Sequence, residues 1–179
     1  MTQAGNVYGE SLYSLAAEEN LTKTILDELL VLKQSFTAEP DFIRLMGVPN
    51  LPKAERCGIL DSSFRGKVHP YVLNFMKILT EKGYMRHFAD CCDAYQALYN
   101  RDNGILVVTA VSAIELTDAQ RGKLCEKLAA TTGKSIELVC KVDPGCYGGL
   151  RLEYDGKSMD DTVAHRLDAM RSLLKNTVL

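Results

Sequence analysis

Hydrophobic positions in the first hundred residues recur at helical spacing. Tyr8, Leu12, Leu15 and Ala16 fall on one stripe. Ile25, Leu29, Leu32 and Phe36 repeat it after Asn20, which reads as a cap. A short apolar segment holding Phe42, Ile43, Leu45 and Met46 ends at Gly47. Pro49 suits a turn and Pro52 a helix start. The helix that follows holds Ala54, Ile59, Leu60 and Phe64 and closes at Gly66. His69-Pro70 opens another, which runs to Lys82 and stops at Gly83. Phe88, Cys91, Cys92, Tyr95, Leu98 and Tyr99 form the last stripe, ending at Gly104. Five or six short helices with brief connections predict a helical bundle over residues 1–104.

The period changes at residue 105. ILVVTAVSAI is apolar and β-branched and reads as a strand. LTDAQRGKLCEKLAATTG reads as an amphipathic helix that Leu116 leads into, Thr117 caps and Gly133 ends. SIELVCKV sets Ile136, Leu138 and Cys140 against Glu137, Val139 and Lys141, and LRLEY puts Leu150, Leu152 and Tyr154 on one face. After a DG turn, a helix led by Asp160 places Val163, Leu167, Met170 and Leu174 on a stripe. The fold class expected is mainly α: a helical domain over 1–104, then a small α/β domain of order β-α-β-β-α over 105–179.

The balance of 21 basic and 23 acidic residues, interspersed throughout, lacks the electrostatic footprint of a nucleic-acid binder. No run approaches the roughly 20 apolar residues that span a bilayer. The start MTQAGNVYGESLYSL has neither signal-peptide nor transit-peptide character, so the expected location is the cytosol or a cytosolic face. The six cysteines, Cys57, Cys91, Cys92, Cys125, Cys140 and Cys146, include no C-x-x-C pair, and they read as small apolar fillers. His69 and His165 read as capping or charge-paired; His165, four residues after Asp161, can meet it on one helix face. Neither a G-x-S-x-G elbow nor a P-loop occurs, and no catalytic, cofactor or metal set is expected.

Two stretches leave a choice open. Gly148-Gly149 could cradle an anion, but it runs into a strand and not a helix N-terminus, which favours close approach by another backbone. In YVLNFMKIL, residues 71 to 79, only Asn74 and Lys77 are polar. The apolar arc covers about 220° of the helix, against somewhat over 100° for a helix burying one face. Such a helix is either wrapped by its own neighbours or keeps a second face for a partner helix.

Near the N-terminus stands VYGESLYSLA, and near the C-terminus DPGCYGGLRLEYDGKSMDDTVAHRL. These resemble the opening and the signature of the delta subunit of bacterial and chloroplast F-type ATP synthases, the oligomycin-sensitivity-conferring protein family. Asp143, Gly148, Gly149, Asp160, Val163, Arg166 and Leu167 match the signature, with Thr162 in place of the usual serine. Ser11 replaces a customary alanine, and Lys82-Gly83-Tyr84 stands where the family usually has Asn-Gly-Arg.

The resemblance implies an N-terminal six-helix bundle and a smaller C-terminal domain in a non-catalytic stator connector. The bundle would bind N-terminal helices of the alpha subunits on the catalytic head. The C-terminal domain, with the signature residues, would bind the b subunits of the peripheral stalk. The head-binding groove would lie between the first and fifth helices, lined by Tyr8, Ser11, Phe75 and Ile78, with Leu12 and Leu79 nearby. No membrane insertion is implied; in a bacterium the protein would sit peripherally on the cytoplasmic face of the plasma membrane. Two other readings are an adaptor with unrelated partners and a small-ligand protein using the Gly148-Gly149 turn.

Overall fold

A computed structural model describes residues 2–47, 51–154, 156–167 and 170. The chain divides into two compact units, Met1–Tyr99 and Asn100–Leu179. Pro49 and Leu174, assigned above to a turn and to the last stripe, lie outside the described residues.

The first unit is helical. It holds α1 (Gln3–Glu18), α2 (Thr22–Ala38), α3 (Pro40–Gly47), α4 (Lys53–Phe64), α5 (Pro70–Lys82), a 3-10 turn Met85–His87, and all but the last three residues of α6 (Phe88–Asp102). Local chemistry sets the ends of these helices. The Thr2 side chain caps α1 by accepting from the Gly5 amide, and His69 Nδ1 accepts from the Tyr71 amide at the start of α5. Gly83 takes a left-handed conformation after Lys82, and the Tyr84 amide donates back to the Leu79 carbonyl. Asn20 does not cap α2. It has a φ of 56° in the turn closing α1, and Leu21 stands at the cap position without a side-chain bond.

Ile25, Leu29, Leu32, Val72, Met76, Leu79, Phe88 and Tyr95 are buried together in one core. Full burial of such a side chain stabilises by about 1.5–3 kcal/mol. Phe36 sits among Phe42, Phe64 and Phe88, with ring centroids 5.1, 6.1 and 5.1 Å away. α1 lies close to α6 because it presents glycine there: a Cβ on Gly9 would stand 2.7 Å from the Cys91 carbonyl and 2.8 Å from the Ala94 Cβ.

The second unit carries β1 (Ile105–Ser112), α7 (Asp118–Thr132), β2 (Ser135–Val142), a 3-10 turn Pro144–Cys146, β3 (Leu150–Tyr154) and β4 (Lys157–Asp160); residues 163–167 and 170 are helical. The sheet order is β2-β1-β3-β4, with β1 parallel to β2 and antiparallel to β3. α7 supplies the crossover that parallel neighbours need. Leu106, Val108 and Ala110 of β1 share a face with Leu138 and Leu152, and Leu116, Leu124 and Leu128 pack on it.

The expected order β-α-β-β-α omits β4. Asp160 does not lead a helix; it ends β4 opposite Arg151. KSMD has a single apolar residue, and an edge strand so short is held by its ladder to β3, which sequence periodicity does not register.

Candidate partner-binding surfaces

The six positions expected to line the groove divide by exposure. Leu12, Phe75 and Leu79 are buried in the core of the first unit, at 5, 6 and 0% exposure. Ser11 is exposed, Ile78 is 46% exposed and Tyr8 is half-buried. The wide apolar arc of α5 is therefore mostly wrapped by its own neighbours, and Phe75 packs 6.3 Å from the Phe88 ring. What faces outward from the predicted set is Tyr8 in part, Ser11 and Ile78. Val7 and Leu15 add exposed apolar surface on α1.

Tyr84, absent from the predicted set, joins α1 to the end of α5. Its ring lies 5.9 Å from Tyr8 and 6.2 Å from His87. Beside it the Thr2 hydroxyl donates to Asp90 Oδ2 at 2.8 Å, holding the Asp90 carboxyl below the usual carboxylate range. His87 Nδ1 stands 3.6 Å from the same oxygen. These contacts fix the first turn of α1 against the start of α6. One signal for this was present in the sequence: Gly5 and Gly9, four apart, mark the face along which α1 approaches α6.

In the second unit the structure draws the signature residues into one backbone assembly. Asp143 Oδ1 accepts from the Gly145 amide at 2.9 Å and starts the 3-10 turn. The Gly148 carbonyl accepts from the Val163 amide at 3.0 Å, and the Leu150 carbonyl accepts from the Asp161 amide at 3.1 Å. Gly149, with φ of 83°, leaves room for the backbone of Asp161 and Thr162. The backbone of Asp161 and Thr162 fills the space beside Gly149 where a side chain would stand.

Asp160 Oδ1 accepts from the Thr162 amide and hydroxyl at 2.9 and 2.6 Å, which holds its carboxyl low. Thr162 is 2% exposed, and its hydroxyl oxygen in turn accepts from the His165 amide, capping the helical residues that follow. Asp161 pairs with Arg166, through Nε at 3.0 Å, and not with His165. Val163, Leu167 and Met170, expected on a packing stripe, are 42, 55 and 60% exposed.

A shallow cavity of about 320 Å³ is lined by Lys53, Ala54, Cys57, Glu81 and Lys82. Burial pushes the Cys57 thiol up, with Glu81 adding to the effect, which makes it a poor nucleophile. Cys91, Cys92 and Cys146 are buried, as filler cysteines should be, but Cys57, Cys125 and Cys140 are only partly so. Burial raises Cys91 to about 11 and Cys92 further. No group of His, Cys, Asp and Glu that could hold a metal occurs among the described residues. No helix among them is long and apolar enough to cross a membrane.

Comparison with known proteins gives a consistent answer. The family described as ATP synthase delta (OSCP) subunit matches residues 5–174. The chain is 29% identical to the ATP synthase subunit delta of Clostridioides difficile, over 97% of this chain and 96% of that one. It is 27% identical to the subunit delta of Chlorobium chlorochromatii, over 96% of both. Among solved structures, a chain of the Toxoplasma gondii mitochondrial ATP synthase hexamer shares the fold. That match has a TM-score of 0.77 at 20% identity, covering 97% of this chain and 98% of that chain. The protein belongs to the ATP synthase delta (OSCP) subunit family, whose members are non-catalytic structural subunits of that enzyme complex.

Proposed function

We propose that this chain connects the catalytic head of an F-type ATP synthase to its peripheral stalk and so resists rotor torque. On this reading the first unit is a six-helix bundle that holds N-terminal helices of the alpha subunits on its α1–α5 face. The second unit holds the b subunits of the stalk, and the protein sits peripherally on the cytoplasmic face of the membrane. The observation that carries the head-binding assignment is Ile78, 46% exposed on a helix whose apolar residues are otherwise buried or half-buried. It stands on the same unit as the exposed Val7, Leu15 and Tyr84. For the stalk, support comes from Val163, Leu167 and Met170, an exposed stripe at helical spacing.

A helix laid on an apolar face needs no chemistry to resist torque, only binding strength. Nanomolar affinity corresponds to about −12 kcal/mol. Calorimetric titration of the full chain with a peptide from the N-terminus of the same organism's alpha chain tests the head side. Tight one-to-one binding that Ile78→Asp weakens at least tenfold is the expected result. A folded chain that binds no such peptide would leave an adaptor with other partners as the better reading. For the stalk side, Leu167→Asp should weaken capture of the C-terminal segment of the b subunits and leave alpha-peptide binding unchanged.

A further inference from the structure

We infer that β2 pairs edge to edge with β2 of a second copy of this chain, antiparallel, with the two Val139 residues facing each other across a two-fold axis. The inference is independent of the head-binding and stalk-binding readings. β2 stands at the edge of the sheet, bonded on one side to β1. The Ser135 amide donates to the Gly104 carbonyl and the Asp143 amide to the Ser112 carbonyl. Odd-numbered residues of β2 therefore turn their backbone groups toward β1. Those of Ile136, Leu138, Cys140 and Val142 point the other way, where no strand lies among the described residues. Exposed edges are commonly kept short or blunted by proline or a bulge. β2 has eight residues, no proline, and an unbroken register with β1.

An antiparallel partner sets outward residues opposite outward residues. With Val139 on the axis, Ile136 faces Val142 of the second copy and Leu138 faces Cys140, as hydrogen-bonded pairs. On the other face of the sheet, Glu137 meets Lys141 of the second copy on each side of the Val139 pair. Glu137 and Lys141 are exposed, and neither forms an ion pair among the described residues. Four positions apart, they stand about 13 Å from each other along the strand, too far to pair within one chain. Other registers lose the match. An axis at Leu138 sets Glu137 against Val139, and one at Cys140 sets it against Asp143. An axis at Glu137 or Lys141 opposes like charges directly, which is destabilising. Only the Val139 axis brings opposite charges together.

α7 fits this arrangement. It crosses from β1 to β2 over the face that holds Leu106, Val108 and Leu138, and none of its own residues is buried. Neighbouring strands lie about 4.8 Å apart, so the two copies of α7 would stand about 10 Å apart over the continuous sheet. That is a distance at which helices pack. The half-buried Leu124 and Leu128 of α7 then gain cover that one copy does not supply. The contact is small, one strand and one helix from each copy, and belongs with weak, concentration-dependent interfaces.

Sedimentation equilibrium of the full chain reads the pairing. The mean mass should rise from 19.8 kDa toward twice that value, over a range from about 10 µM to about 1 mM. Glu137→Lys and Lys141→Glu each oppose like charges on both sides of the axis, and each should weaken association at least about tenfold at low salt. The double variant E137K/K141E restores opposite charges and should return to within about threefold of wild type. Both positions are exposed, so far-UV dichroism of every variant should match wild type. Under mild oxidation Val139→Cys should form a disulfide between copies, since Cα atoms in such a pair stand about 4.5 Å apart. A crosslink through native Cys140 in its place would move the axis and overturn the register. A monomer at every concentration, or association that neither charge reversal weakens, overturns the proposal and leaves the head and stalk readings untouched.

Discussion

Gly149 and Thr162 meet backbone to backbone: a Cβ at position 149 would stand 3.0 Å from the Thr162 Cα and closer still to the Asp161 carbonyl oxygen. This contact seats the segment after β4 against the start of β3. Gly149→Ala therefore meets two penalties. The left-handed φ costs about 1–2 kcal/mol for a residue with a Cβ, and overpacking adds about 1–3 kcal/mol. A loss of at least about 2 kcal/mol in urea unfolding, with faster amide exchange in β3, is the expected outcome. Exchange rates in β3 equal to wild type would show that the segment simply moves away.

Phe75 and Ile78 are three residues apart on α5 yet should respond oppositely to the same change. Phe75→Asp places a charge in the core beside Phe88, a loss of more than about 4 kcal/mol. Ile78→Asp adds a charge at an exposed position and should alter stability by no more than about 0.5 kcal/mol. Thermal unfolding separates them. Only Ile78→Asp is then a clean probe of partner binding, because any uncoupling by Phe75→Asp would reflect unfolding.

Two helical glycines offer a matched pair. In isolation, Gly→Ala in a helix stabilises by about 0.5–1 kcal/mol. Gly58 on α4 is exposed with nothing within 4 Å of its Cβ position, so Gly58→Ala should gain that amount. Gly9→Ala must instead push α1 from α6 and should lose about 1–3 kcal/mol. Chemical denaturation of the two variants checks the signs; a gain at both would mean that α1 shifts without cost.

Asp160 gives a pH dependence with a definite sign. Its folded carboxyl is held below its unfolded value by the Thr162 hydrogen bonds. The stability this carries is complete above the ordinary aspartate range near pH 4. It is lost as pH falls through the lower, folded value. Asp160→Asn keeps an acceptor for Thr162 but no longer titrates there. Its unfolding midpoint should therefore fall less steeply than wild type below about pH 4. Parallel acid limbs would place the titrating group elsewhere.

The elements that were legible from sequence are those whose burial repeats at one period. Ile25, Leu29, Leu32 and Phe36 declare α2, and alternating Ile136 and Leu138 declare β2, because each set faces a single core. The elements that were not legible are held by partners distant in the chain. β4 exists through its ladder with β3, not through its own pattern. Asn20 has the composition of a helix cap, but the close of α1 took it into a left-handed turn. The exposure of the residues proposed for docking was only half legible. An apolar arc can be counted along α5, yet only packing separates Ile78, left outside, from Phe75 and Leu79, taken in.

The amino-acid sequence by itself determined the change from helical to alternating period near residue 105, the signature from Asp143 to Leu167, and through them the family. Those features are local or near-local: spacing, turn chemistry and capping act between residues a few positions apart. Only the tertiary structure decided that Gly5 and Gly9 bring α1 onto α6, and that Tyr84 meets Tyr8 across 76 positions of chain. It alone decided that Val163 and Leu167 face outward. Exposure is a relation between a side chain and everything packed around it, and no window of sequence contains that surrounding.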